Sequence, residues 1–77
     1  MISELDTIVL THDIGKHGLK EGDIGAVVHC YGDGGAFEVE FVTAEGRTLA
    51  VLTLTLNDVR LMNNKEILHV REIAQAA

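Results

Sequence analysis

The chain has 77 residues, of which 47% are hydrophobic, 4% aromatic and 23% charged, and it contains no proline. A chain this short builds one core and hides only about 60% of the surface that its unfolded form exposes, which excludes a second domain and disfavours a deep catalytic cleft. Twelve acidic residues against six basic ones give a formal net charge of −6, so the average field repels nucleic-acid backbones and acidic membranes.

The composition also bears on the cellular location of the protein. No run of apolar residues approaches the roughly 18 that a membrane span requires, and the N-terminus lacks the basic start and apolar core of a secretory signal. Cys30 is the single cysteine, so no disulfide can form within the chain, which fits a reducing compartment. We therefore expect a cytoplasmic protein.

Short runs between glycine clusters, as found in the first half of the chain, are typical of β-strands. Residues 6–10 are rich in β-branched side chains and predict a first strand, which a long loop over residues 11–23 follows. Residues 24–31 predict a second strand that is apolar on nearly both faces, and this places it near the centre of a sheet. Gly25 inside that strand indicates a bulge or the close approach of another backbone.

The third run has the clearest alternation in the chain, with aromatic and aliphatic residues in one phase and glutamates in the other: Phe37, Glu38, Val39, Glu40 and Phe41. This period of two predicts a strand with one face in the core and one in water, and it explains the two glutamates without a catalytic pair. Residues 47–56 predict a fourth strand with apolar residues on both faces. Residues 59–61 predict a short closing strand.

Five short strands joined by tight turns predict an all-β protein, folded as a small SH3-like barrel over residues 1–64. Closure of such a barrel reduces the sheet edges that would otherwise pair with other chains. Residues 65–77 form a C-terminal extension with two interpretations. Apolar residues at positions 70, 73, 74 and 77 have helical spacing, whereas residues 66–70 also suit a strand.

Three segments carry a resemblance to a known family: residues 5–11, 17–29 and 36–42, with the sequences LDTIVLT, HGLKEGDIGAVVH and AFEVEFV. They resemble the bacterial family called domain of unknown function 4926, and the likeness covers most of the chain. The resemblance implies a small β-rich protein with an SH3-like barrel. It implies no catalytic residues.

A second resemblance is carried by Gly22, Asp23, Gly25 and Val27. These residues are similar to the KOW stretch of translation and transcription factors, in which a glycine-bearing turn precedes a valine-rich strand. This implies a nucleic-acid-binding barrel as the alternative function. Such barrels bind strands through stacking aromatics and a basic groove, whereas the basic residues here are scattered among twice as many acids, so charge argues against nucleic acid.

Three residues of the first loop could hold a metal ion: His12, Asp13 and His17. Imidazole and carboxylate groups are metal ligands, but a structural zinc site has four ligands and this loop contains no tight-spacing motif. The competing interpretation is a solvated polar loop. Cys30 lies in a strand that is predicted to be buried, where a thiol is inert. We expect no cofactor and no enzymatic activity.

Surplus apolar residues in the second half of the chain predict a protein interface. Both faces of residues 47–56 are apolar although one must look outward, and the extension adds an apolar stripe that covers either its own barrel or another subunit. The candidate interface residues are Leu49, Val51, Leu52, Leu54, Ile67, Val70 and Ile73. We expect a non-catalytic interaction module that self-associates by two-fold symmetry or binds a protein partner, as an acidic antitoxin binds a basic protein encoded beside it.

Overall fold

The computed structural model describes residues 1–73, which contain five strands and one short 3-10 turn. The elements are β1 (Thr7–Leu10), η1 (Gly15–His17), β2 (Ile24–Tyr31), β3 (Ala36–Val42), β4 (Thr48–Thr55) and β5 (Val59–Leu61). Each predicted strand is present within one residue of its expected bounds, and the all-β prediction is confirmed. In this part of the chain no helix has the length and apolar character to cross a membrane.

The strands form one antiparallel sheet in the order β4-β3-β2-β1-β5. β2 lies at the centre, as its two-sided apolar pattern predicts. Residues from all five strands nevertheless meet in one core, so the sheet must bend around it. Over residues 1–73 the sheet stays open, with β4 and β5 at opposite edges, an arrangement consistent with a small barrel-like fold.

The core is built mainly from one phase of each strand. β3 contributes both phenylalanines, Phe37 and Phe41, with Val39 between them, while its two glutamates take the opposite phase. The first loop contributes Leu19, which is buried and pairs with Ile14 in an isolated bridge. The fully or nearly buried apolar residues are Ile8, Val9, Leu10, Leu19, Val27, Phe37, Val39, Phe41, Leu54 and Val59.

Gly25 allows β2 to lie directly against β3. A Cβ atom built on Gly25 would lie 2.7 Å from Val39 Cγ1, 2.9 Å from Phe41 Cε1 and 3.1 Å from the Glu40 backbone carbonyl oxygen, so any larger residue would collide with β3. The predicted close approach at Gly25 is therefore confirmed. The bulge lies further along the strand, between Val27 and His29, where the register against β3 shifts and the inward phase of β2 is interrupted.

The extension after β5 has neither helical nor strand backbone through residue 73, so neither interpretation of its sequence holds for residues 65–73. Side-chain contacts hold this segment instead. Near its start, Arg60 donates to both carboxylate oxygens of Glu66, at 2.8 and 2.6 Å. Positions 74 and 77 of the predicted helical stripe lie outside the described residues.

Candidate functional site

β4 forms an edge of the sheet along its whole length. It pairs with β3 on one side, and within the described residues no strand pairs with the other side. Its eight residues, TLAVLTLT, include no charged residue, no glycine and no proline. An edge of this length and composition presents unpaired backbone donors and acceptors on which another strand can form.

The apolar residues of β4 divide between core and surface. Leu54 is 7% exposed and lies opposite Phe37, and Leu49 and Leu52 are half-buried against the same core. Val51 is 49% exposed on the opposite face. Leu54 is thus removed from the candidate interface because its side chain is inside the protein, whereas Val51 offers the largest exposed fraction of the four β4 candidates.

Two glutamates of β3 lie next to the outer phase of β4. Glu40 is opposite Val51 and Glu38 is opposite Thr53. The Thr48 hydroxyl donates to Glu40 Oε2 at 2.7 Å, and the Thr53 hydroxyl donates to Glu38 Oε1. The carboxylates therefore lie one strand inward from the edge, engaged by threonines of β4, and the edge itself is uncharged.

The candidate residues of the extension also divide into two groups. Ile67 and Val70 are 93% and 89% exposed. Ile73 is half-buried and faces a groove of about 510 Å³ between the extension and the β3–β4 turn, which Leu49 and Phe41 also line. The extension therefore places Ile73 beside its own sheet while it leaves the side chains of Ile67 and Val70 in solvent.

An ion pair links Arg71 of the extension to the first loop. The Arg71 guanidinium donates to both carboxylate oxygens of Asp23, with Nε 2.8 Å from Oδ1, and to the Gly18 carbonyl at 3.0 Å. Partial burial opposes ionisation of Asp23, but the hydrogen bonds from Arg71 and from the Lys20 backbone N–H outweigh it and lower the pKa of Asp23. A bidentate, charge-assisted contact of this kind fixes the orientation of the segment around Arg71.

The first loop does not bring its three candidate metal ligands together. His12 Nε2 lies 2.7 Å from Asp58 Oδ1, the Asp13 carboxylate accepts the Glu21 backbone N–H at 2.8 Å, and His17 lies in η1. Among residues 1–73 there is no cluster of three or more His, Cys, Asp or Glu side chains that could hold a metal ion. The hydrogen bond between the His12 ring and the Asp58 carboxylate raises the pKa of His12 and lowers that of Asp58.

Cys30 lies near the C-terminal end of β2. Its sequence position predicts a buried thiol, whereas the structure shows Cys30 half-buried. Its Sγ atom is 3.8 Å from the Ile2 carbonyl oxygen, beside a mostly apolar hollow of about 850 Å³ between the N-terminal residues and the β2–β3 turn. Nearby, His29 packs edge-to-face on Tyr31, with ring centroids 4.7 Å apart.

Sequence reasoning did not find the side-chain pairs that hold the loops and the extension. Arg71 and Asp23 are 48 residues apart, and His12 and Asp58 are 46 apart. No local spacing rule covers such separations, because the contact exists only after the sheet has formed. A signal was available only for Arg60 and Glu66, which are of opposite charge and six residues apart.

Comparison with known families assigns the domain. Residues 4–61 match the family described as Domain of unknown function (DUF4926). The chain belongs to this family. The matched segment runs through all five strands and ends before the extension, so the β4 edge lies inside the family domain and Ile67, Val70 and Ile73 lie outside the match. Comparisons with curated proteins and with solved structures found no match.

Proposed function

We propose that this protein is a bacterial, cytoplasmic, non-catalytic interaction module with an SH3-like barrel, and that it self-associates through β4. The observation that carries the proposal is the eight-residue edge strand, which is uncharged and unpaired on one side within the described residues. Edges of soluble proteins are usually shortened, charged or covered, so a long bare edge indicates a surface that pairs with a partner.

The exposed side chains around this edge support protein contact. Val51 projects from the middle of β4, and Ile67 and Val70 project from the extension. Isolated apolar residues on a surface are ordinary, but an apolar group beside unpaired backbone adds burial to hydrogen bonding when a strand docks. A protein partner satisfies both requirements.

A basic partner, such as a toxin that an acidic antitoxin neutralises, is the second protein-binding version of this proposal. The net charge of −6 attracts a positively charged partner over long distances. At β4 itself there is no charge to attract such a partner, so a second copy of the chain is the favoured occupant. Nucleic acid receives less support, because Arg60 and Arg71 are each bound to a carboxylate.

Sedimentation analysis of the purified chain from about 1 to about 100 micromolar tests the proposal, because weak dimers change mass over such a range. We expect a reversible monomer–dimer equilibrium. A strict monomer across the whole range contradicts self-association. Titration with RNA at low salt is the companion measurement, since even non-specific nucleic-acid binding would appear there.

A further inference from the structure

The backbone groups of β4 that face away from β3 can be identified at its C-terminal end. The Thr55 N–H donates to Asp58 Oδ2 at 2.9 Å, and the Thr55 carbonyl accepts the Asp58 N–H, also at 2.9 Å. Both groups therefore point away from β3. Because backbone direction alternates along an antiparallel strand, the N–H and C=O groups of Thr53 and Val51 point to the same, open side.

The opposite end of the β3–β4 hairpin gives the same assignment. The Thr43 N–H donates to the Arg47 carbonyl at 2.9 Å. The register shifts between Phe41 and Val42, but the unpaired residue is Leu49 of β4, so the phase of β3 is unbroken and its odd-numbered residues face β4. The residues of that phase and their β4 partners are Phe41 with Ala50, Val39 with Leu52, and Phe37 with Leu54. Ala50, Leu52 and Leu54 thus hydrogen-bond to β3, and Val51 and Thr53 face the open edge.

We propose that β4 pairs antiparallel with β4 of a second copy about a two-fold axis at Leu52. In this register Val51 lies opposite Thr53 of the partner subunit, and Thr53 lies opposite the partner subunit's Val51. Each opposed pair exchanges two backbone hydrogen bonds, which gives about four across this β4–β4 contact, called the seam below. This inference rests on the proposed self-association and assigns its surface and register.

Two features of the edge select this register and this occupant. The carboxylate and backbone of Asp58 already occupy the edge groups of Thr55, so pairing stops there. At the other end the register shift at Leu49 interrupts the regular alternation, which leaves Val51 and Thr53 as the regularly spaced open positions. Two donors and two acceptors on one copy match the same set on the other, which makes the edge self-complementary. Leu52, half-buried in the single chain, gains cover from its counterpart on the axis.

Charge placement is compatible with a second copy. β4 carries no charge, and the nearest outer-face carboxylates, those of Glu38 and Glu40, lie on β3 and are hydrogen-bonded within the chain. A two-fold seam at β4 therefore keeps the glutamates of both copies one strand back from the contact. The Asp58 carboxylate at the C-terminal end of this edge is already bonded to Thr55 and His12. Along Val51 and Thr53 an unrelated basic strand would find no carboxylate with which to pair.

The main test is the double variant Val51→Lys/Thr53→Lys. Within one copy the new side chains lie opposite Glu40 and Glu38, so the monomer keeps its fold, but across the proposed seam the lysines face one another. We expect the dimer dissociation constant to rise at least roughly tenfold while the far-ultraviolet circular dichroism is unchanged. Val42→Lys is the matched control, because Val42 is 51% exposed on β3 but lies inside the sheet; it should leave the dimer intact.

The register is tested by disulfide cross-linking in a Cys30→Ser background. Leu52→Cys places two thiols on the axis, within disulfide reach, whereas Val51→Cys places them roughly 8 Å apart between Cα atoms, beyond it. Under oxidised glutathione, Leu52→Cys should form covalent dimers and Val51→Cys should not. Cross-linking of Val51→Cys in preference to Leu52→Cys overturns the register.

The outcomes separate the two proposals. A wild-type dimer that the double lysine variant leaves at full affinity overturns the β4 seam and retains self-association. A wild-type chain that stays monomeric overturns both. A dimer that the lysines disrupt, that Val42→Lys does not affect, and that Leu52→Cys traps supports the seam and its register.

Discussion

The two edges of the sheet differ in how the chain treats them. β5 has three residues, carries Arg60 at its centre, and is followed by an extension that returns Glu66 to that arginine. β4 has eight residues and no charge. The hydrogen bonds from Arg60 and from the Asn63 N–H lower the pKa of Glu66 to about 2, so the Arg60–Glu66 ion pair at β5 stays ionised across the neutral range.

This difference indicates where a partner can bind. Short, charged edges resist the addition of a strand, because few backbone groups are open and a partner would have to displace hydrated charge. A long uncharged edge offers no such resistance. Within residues 1–73, the β5 edge is thus short and carries an ion pair, whereas the β4 edge is long, uncharged and unpaired. Changes at these two edges test that contrast.

The largest effect is expected from Leu54→Ala, which shows whether the inner phase of β4 belongs to the core. Leu54 is buried, and its truncation should lower the free energy of unfolding by about 2–5 kcal/mol through lost burial and a residual cavity. Urea denaturation measures this loss. Leu56→Ala, at an exposed position just beyond β4, should change stability by no more than about 0.5 kcal/mol; equal losses would show that β4 has no inner phase.

Gly25→Ala should act on both edges together, because Gly25 lies on the central strand. The added methyl group would meet Val39, Phe41 and the Glu40 carbonyl oxygen, which lies 3.1 Å from the built Cβ, and we expect a loss of about 1–3 kcal/mol. Amide hydrogen exchange should then accelerate in β4 and β5 alike. Gly15→Ala is the control, since a Cβ there meets nothing within 4 Å. Faster exchange at one edge alone would contradict the role of β2 as the common support.

Asp23→Asn should loosen the extension without disturbing β4. It weakens the contact with Arg71, so the segment after β5 opens more often and trypsin should cleave after Arg71 roughly threefold faster or more. Exchange in β4 should stay at its wild-type rate. Glu45→Gln removes the same charge from the β3–β4 turn and serves as the control. An unchanged cleavage rate would mean that the ion pair does not hold the extension.

The smallest effect is expected from the His12 and Asp58 pair at the β4–β5 turn. The folded-state pKa of His12 is raised above 6.5, so its contribution is full below 6.5 and is lost as the pH rises through the folded value. The pKa of Asp58 is lowered below 3.8, so its contribution is full above 3.8 and is lost as the pH falls through the folded value. The pair therefore stabilises the fold most between pH 3.8 and 6.5.

Thermal unfolding of His12→Gln and the wild type across pH measures this small contribution. The difference in melting temperature should be greatest near pH 5 to 6 and should shrink on either side, following the two pKa directions. His17→Gln, in the same loop, is the matched control. A difference that grows above neutral pH would contradict the sign assigned to His12.

The sequence predicted the strands well because their patterns are local. The alternation around Phe37 and Phe41 needs only neighbouring residues to be recognised, and the glycine-rich turns bound the runs on either side. The same reasoning failed where both faces of a strand are apolar. It grouped Leu54 with Val51 as candidate interface residues, although the pairing with β3 places Leu54 in the core and Val51 outside it.

The extension was the least predictable part. Its apolar residues suit either a helix or a strand, yet residues 65–73 adopt neither. The contact of Arg71 with Asp23, across 48 positions of sequence, has no local pattern that would predict it. The sequence indicated either a bulge or a close approach at Gly25, whereas the bulge lies between Val27 and His29. Its position depends on how β2 pairs with β3, which the sequence of β2 alone does not specify. Each failure concerns a contact between residues that are distant in the chain.

By itself the sequence determined the number of strands, their approximate bounds and the outward phase of the two glutamates of β3. These depend on backbone preference and on a repeat of two residues, both of which act over a few neighbouring positions. Only the tertiary structure decided which strands form the edges of the sheet, which backbone groups of β4 face away from β3, and which ion pairs hold the loops. Those properties arise when separate strands bend around one core, and that event brings together groups that no local pattern relates.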